Sequence, residues 1–137
     1  MQIIKKVIAL PIKNNRLLVV KKVDKDIWVD LGGKPEGNET EKETLAREIK
    51  EELDCDCIIK EKFGDFENEA AFDPGCMVHL AAYITDLVGE PKVSDPEIEK
   101  YEYIGADYKE KGFELAPSIE TKIIPALINR GYLKWPN

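Results

Sequence analysis

From Trp28 to Cys55 the chain reads WVDLGGKPEGNETEKETLAREIKEELDC. Leu45, Ile49 and Leu53 recur every four residues, with Ala46 beside them, and that is helical periodicity. Thr40 is placed as the N-cap, and Glu43 three residues on closes a capping box. The spacing predicts a helix over residues 41–53. Upstream, residues 27–31 predict a short strand, broken by Gly32-Gly33.

The acidic residues of this helix are unevenly placed. Glu48, Glu51 and Glu52 stand at i, i+3 and i+4, on one face and opposite Leu45, Ile49 and Leu53. Like charges at that spacing repel unless something neutralises them. A hard divalent cation such as Mg²⁺ does so, because it prefers carboxylate, carbonyl and water oxygens. The competing reading is a solvated acidic surface. The flanking spacing argues against it: Gly33, then five residues, then Glu39, then seven residues, then Arg47-Glu48.

Outward from this segment, residues 3–12 and 17–20 are apolar runs either side of a polar turn, and they predict an antiparallel hairpin. Residues 57–61, 77–84 and 101–104 predict further strands, with turns at Asp73-Pro74-Gly75 and Gly89-Glu90-Pro91. Residues 119–129 carry a second helical pattern, with Pro125 as a kink or boundary. Strands, helix, strands, helix describe a mixed sheet covered by helices, of class α/β.

The chain has 137 residues, which fits one domain over residues 1–137. With 43% hydrophobic and 34% charged residues it is globular rather than disordered. The formal net charge of −7 gives no general attraction to nucleic acid or anionic membranes. Three cysteines, of which Cys55 and Cys57 lie two apart, read as free thiols in a reducing compartment. No apolar stretch approaches a membrane span and no leader pattern opens the chain, so the expected location is the cytoplasm.

The pattern Gly33-x5-Glu39-x7-Arg47-Glu48-Ile49-x-Glu51-Glu52-x-Asp54-Cys55 resembles the Nudix box, a loop-helix-loop signature. Trp28-Val29-Asp30-Leu31-Gly32-Gly33-Lys34 resembles the strand that leads into the box. Residues 97–104 resemble the acidic loop and following strand of MutT-type members. Leu115-Ala116-Pro117-Ser118 resembles the loop before their C-terminal helix. Two positions depart: Asp54 stands where the family has Gly, and Leu31 where it usually has Pro.

The resemblance implies a Nudix-type α/β/α sandwich and hydrolysis of a nucleoside diphosphate linked to a further group. Within it, the first expectation is a MutT-like pyrophosphatase that turns a nucleoside triphosphate into a monophosphate and pyrophosphate. An ADP-ribose or nucleotide-sugar diphosphatase is the rival enzyme, and a regulatory nucleotide-binding domain the rival outside catalysis. By the same resemblance Glu48, Glu51 and Glu52 hold Mg²⁺, or Mn²⁺ in its place, with the Gly32 carbonyl and Glu97 as further ligands. Glu39 pairs with Arg47, which orients the carboxylates. The water's base is open between Glu48, the first choice, and Glu51 or Glu97.

Lys21, Lys22 and Lys34 flank the box strands and are candidates for substrate phosphates. Ser118 is the candidate for contact with the base. Trp28, Phe72, Tyr83 and Phe113 are pocket candidates, with core packing the better reading for each aromatic. His79, between Val78 and Leu80, reads as a core or pocket-wall residue without a chemical role. The expected partner is a small nucleotide, with the chain a monomer or homodimer.

Overall fold

The computed structural model describes residues 2–136. Its strands are β1 (Gln2–Lys13), β2 (Arg16–Lys22), β3 (Trp28–Val29), β4 (Leu31–Gly33), β5 (Asp56–Glu69), β6 (Cys76–Val88) and β7 (Ile98–Ile104). Helix α1 (Glu41–Leu53) lies between β4 and β5, and a π-helical turn (Ile119–Ile123) leads into α2 (Ile124–Asn129). The sheet runs β3-β2-β1-β6-β5, with β4 also on β1 and β7 also on β2.

Asn14 and Asn15 both take left-handed backbone, as a tight hairpin turn requires. β1 and β2 pair only beside that turn, at Ile12↔Leu17 and Lys13↔Arg16, and then part. β1 continues parallel to β6 from Gln2↔Cys76 to Pro11↔Thr85, and β6 pairs antiparallel with β5. β2 pairs with β7 and β3. The sheet is therefore mixed and splits beyond the hairpin, and the candidate site residues cluster at this split.

Each face carries a helical cover. Leu45, Ile49 and Leu53 of α1, all 0% exposed, pack on Val7, Ala9, Leu18, Val20 and Leu31. Burial of each such side chain contributes about 1.5–3 kcal/mol. On the other face Ile119, Ile123 and Leu127 pack on Ile8, Leu10, Leu80 and Ile104. Strand alternation sorts β1 between them, with Val7 and Ala9 toward α1 and Ile8 and Leu10 toward the C-terminal segment.

The structure departs from several sequence expectations. Gly32-Gly33 does not end the strand: both glycines pair with β1, as Ile8↔Gly32 and Val7↔Gly33. The interruption falls at Asp30, where the chain leaves β2's partner strand β3 and joins β1 as β4. A β-carbon on Gly32 would collide with the Val7 carbonyl, so glycine permits this close approach.

β5 is far longer than residues 57–61 because bulges between Ile59 and Lys62, and between Lys62 and Gly64, disturb its alternation. β7 begins at Ile98 rather than Tyr101. Pro125 marks a change of winding: the π-helical turn Ile119–Ile123 runs straight into α2 with Ile123 and Ile124 both in helical backbone, so the proline, which has no N–H to give, lies just past the π-to-α switch inside one continuous helical run.

His79 is neither core nor pocket wall. It shares a face with Ala81 and Tyr83 but lies short of the part that α1 covers. Half-buried, it sits 3.0 Å from Asp65 and 3.3 Å from Glu67 across the β5–β6 pair.

Candidate active site

Both ends of α1 are fixed by local chemistry. The Glu43 N–H donates to Thr40 Oγ1 at 3.2 Å, and the Thr40 N–H donates to Glu43 Oε1 at 2.9 Å. At the other end Asp54 takes left-handed backbone (φ 47°, ψ 44°) and its N–H donates to the Lys50 carbonyl. Aspartate thus fills the cap position usually given to glycine. The loop before β7 satisfies the last carbonyls of the helix. The Lys92 N–H donates to Leu53 O, the Ser94 N–H to Glu52 O, and Ser94 Oγ to Glu51 O. That docking brings Asp95 close enough for its charge to reach Glu52.

Arg47 is the hub of the outer half of the site. Its Nε donates to Glu39 Oε2 at 2.7 Å and its Nη2 to Glu39 Oε1 at 3.0 Å, a two-pronged bond. Nη1 donates to Glu48 Oε1 at 2.9 Å and reaches Glu51 at 3.3 Å, and Nη2 also donates to the Lys34 carbonyl. Glu39 further accepts from the Glu36 N–H and Thr44 Oγ1. Its bonds to Arg47 and Glu36 hold its carboxyl down at about 2.

The inner half is built differently. Glu52 is only 5% exposed, so the acidic trio does not share one solvent face. Glu51 is exposed, Glu48 half-buried, and Glu52 lies at the edge of the core beside Leu53. Glu52 Oε1 accepts from the Gly32 N–H at 3.2 Å. Burial, then the charge of Glu48, push its carboxyl up to about 8. Burial also raises Glu48, although Arg47 opposes the shift. The Glu48 carboxyl occupies the space where a β-carbon of residue 33 would be, so Gly33 leaves room for it.

This donor set suits a hard divalent cation: carboxylates on adjacent turns, short of positive charge at Glu52, beside the backbone of Gly32 and Gly33. Among the described residues the acidic groups do not yet converge on one point. Arg47 holds Glu48 by Oε1 alone but engages both oxygens of Glu51, so a cation would need Glu51 to turn from it. Glu97 is exposed: its carbonyl accepts from the Val23 N–H, and its own N–H donates to Asp95 Oδ1.

A pocket opens on the other side of Gly32. Ile8, Val78 and Leu80 form its apolar wall, and Phe72 and Ser118 line it. Lys22 lines it as well, and its charge reaches Glu52. Lys34 borders the site through its carbonyl bond to Arg47. Lys21 is turned to Glu99 at 2.9 Å and is not part of the pocket lining. Trp28 is buried against Phe113 at 5.0 Å, and the Tyr83 hydroxyl donates to Glu41 at 2.6 Å, so those aromatics serve packing.

Lys6 and Asp30 also line the pocket, and neither is among the site residues the sequence motifs point to. Burial pushes the Asp30 carboxyl up to about 7, opposed by Lys6. Burial, then Lys22 and Lys34, lower the Lys6 ammonium. A signal existed: Lys6 interrupts the alternating apolar set Ile4, Ile8, Leu10, and Asp30 interrupts an apolar strand.

A split mixed sheet between helical layers, with a capped acidic helix beside a double glycine, is the arrangement of the Nudix fold. The NUDIX domain pattern matches residues 4–115, and the chain belongs to that family of hydrolases. Among solved structures it is similar to the MutT protein of Methanosarcina mazei Go1 (TM-score 0.77, 20% identity, 96% of each chain covered). It is also similar to the E. coli ORF135 protein (TM-score 0.70, 24% identity, 98% of this chain and 92% of that one). A UDP-X diphosphatase matches with TM-score 0.78 and 17% identity over 96% of this chain and 65% of its own. No curated protein matches the chain.

Proposed function

We propose that this protein hydrolyses nucleoside triphosphates to a monophosphate and pyrophosphate in a Mg²⁺-dependent, MutT-like reaction. The carrying observation is the place of Gly32, whose N–H donates to the Glu52 carboxylate while the same residue lines a pocket walled by Ile8, Val78, Leu80 and Phe72. A phosphate chain reaching the carboxylates from a nucleoside in that pocket crosses Gly32 and Lys22.

Glu48, Glu51 and Glu52 would hold the cation, with the Gly32 carbonyl. When bound, it neutralises non-bridging phosphate oxygens and lowers the pKa of water. Arg47, anchored on Glu39 by its planar fork, sets the position of Glu48. Arg47 engages Glu48 Oε1 and not Oε2. We assign Oε2 to accept the proton of the attacking water. Lys22 offsets charge on the substrate phosphates. Ser118, 5% exposed at the pocket wall, would touch the base.

The test is a panel of the common nucleoside triphosphates, ADP-ribose and UDP-sugars with Mg²⁺, with products identified. Monophosphate plus pyrophosphate from triphosphates is the expected result. A strong preference for ADP-ribose, yielding adenosine monophosphate and ribose phosphate, would overturn the substrate while leaving the box chemistry. No turnover of any compound would favour a binding domain.

A further inference from the structure

Lys6 and Asp30 stand across one pocket, on adjoining strands β1 and β4's lead-in, and feel each other's charge. Neither is in an ion pair within 4.0 Å among the described residues. The catalytic scheme above uses neither group. Two opposite charges that line a cavity without meeting leave room for a ligand group between them. Such a group must offer an acceptor to the ammonium and donors to the carboxylate.

The rest of the lining narrows the choice. Ile8, Val29, Val78 and Leu80 supply flat apolar contact, and Phe72 adds a ring. This suits a planar heterocycle rather than a sugar or a phosphate. A phosphate would also meet the Asp30 and Asp73 carboxylates, which line the same cavity. We infer that Lys6 and Asp30 read the edge of the substrate base and select guanine.

Guanine places the O6 acceptor at one end of its edge and the N2 amino donors at the other. Its N1–H lies between them, so a carboxylate accepts two parallel bonds while an ammonium donates to O6. Adenine presents an amino donor beside a ring-nitrogen acceptor, which opposes a carboxylate oxygen lone pair to lone pair. Cytosine and uracil each offer one donor site and leave a carboxylate half-used. Ser118, with a single hydroxyl, supplies no such discrimination. A site that hydrogen-bonds its correct ligand rejects analogues because its own buried groups go unpaired.

This rests on the pocket being the nucleoside site, and a binding measurement tests it apart from turnover. Calorimetric titration at pH 8 with Mg²⁺ compares guanosine, adenosine, cytidine and uridine monophosphates. We expect guanosine monophosphate to bind at least about tenfold tighter than the others. Asp30→Asn should cost guanosine monophosphate about tenfold or more and improve adenosine monophosphate, whose donor–acceptor edge an amide matches. Lys6→Met should weaken guanosine monophosphate similarly and leave adenosine monophosphate within about threefold, which keeps the test available if Asp30→Asn misfolds.

Equal affinity for all monophosphates, or equal losses across them in both variants, would overturn the inference. Failure of triphosphate hydrolysis with guanosine selectivity retained would instead remove the proposed reaction and leave this reading standing.

Discussion

Glu39 precedes helix α1 and Glu52 lies in its last turn, and the fold treats these two carboxyl groups in opposite ways. Glu39 meets a two-pronged arginine and two further donors, and its carboxyl is held at about 2. Glu52 is buried, has one backbone donor and repelling neighbours, and is raised to about 8. The first is complete within the chain. The second is short of positive charge, and the chain supplies no side-chain cation in contact with it among the described residues. The contrast separates a residue that positions from one that waits for a ligand.

Replacing the waiting group should cost the most activity. Glu52→Gln keeps shape and the acceptor for Gly32 while deleting charge. Its kcat should fall by about 100-fold or more, as should activity in excess EDTA. Near wild-type turnover in either case would put the cation elsewhere. Arg47→Lys should come next, with kcat down about 10–100-fold and KM nearly unchanged, since an ammonium cannot form the fork. A rise in KM alone would make Arg47 a phosphate contact instead.

The two carboxylates should also leave opposite marks on stability against pH. Glu52 has a folded pKa above its ordinary 4.5, so the metal-free fold binds that proton more tightly than the unfolded chain does. Stability should therefore fall as pH rises from 4.5 toward about 8, and Glu52→Gln should flatten that decline. At pH 8 the variant should melt about 5 °C higher than the native metal-free protein. Glu39 lies below its ordinary 4.5, so its contribution is present above that pH and is lost as pH falls through about 2. Thermal melts in EDTA across pH check both arms.

His79 gives the smallest effect. Its bonds to Asp65 and Glu67 raise its pKa above 6.5, so its contribution is full below that value and is lost as pH rises through the folded one. These are exposed partners, so His79→Gln should shift the melting temperature at pH 6 by only about 1–2 °C. A shift as large as that of Glu52→Gln would mean that exposure does not separate the two kinds of site.

The sequence legibility of this molecule follows the reach of local chemistry. Helix α1, its Thr40–Glu43 cap and the register of Leu45, Ile49 and Leu53 depend on neighbours within a few residues, and their pattern announces them. The burial of Glu52 depends on β4 joining β1, a contact distant along the chain, and helical spacing alone put it on the wrong side. The full length of β5 was hidden by bulges and by charged residues on an edge strand. Lys6 and Asp30 were legible only as interruptions of apolar alternation, and their place in one pocket required the switch between sheets at Asp30.

The central claim is that Glu48 and Glu52 hold a divalent cation, and Mg²⁺ titration followed calorimetrically at pH 7 tests it most directly. A carboxyl raised to about 8 is largely protonated at that pH, and binding must displace the proton. We predict saturable binding with proton release, seen as a dependence of the measured heat on buffer ionisation, and loss of that release in Glu52→Gln. Binding of equal affinity and equal proton release in the native protein and in Glu52→Gln would contradict the account.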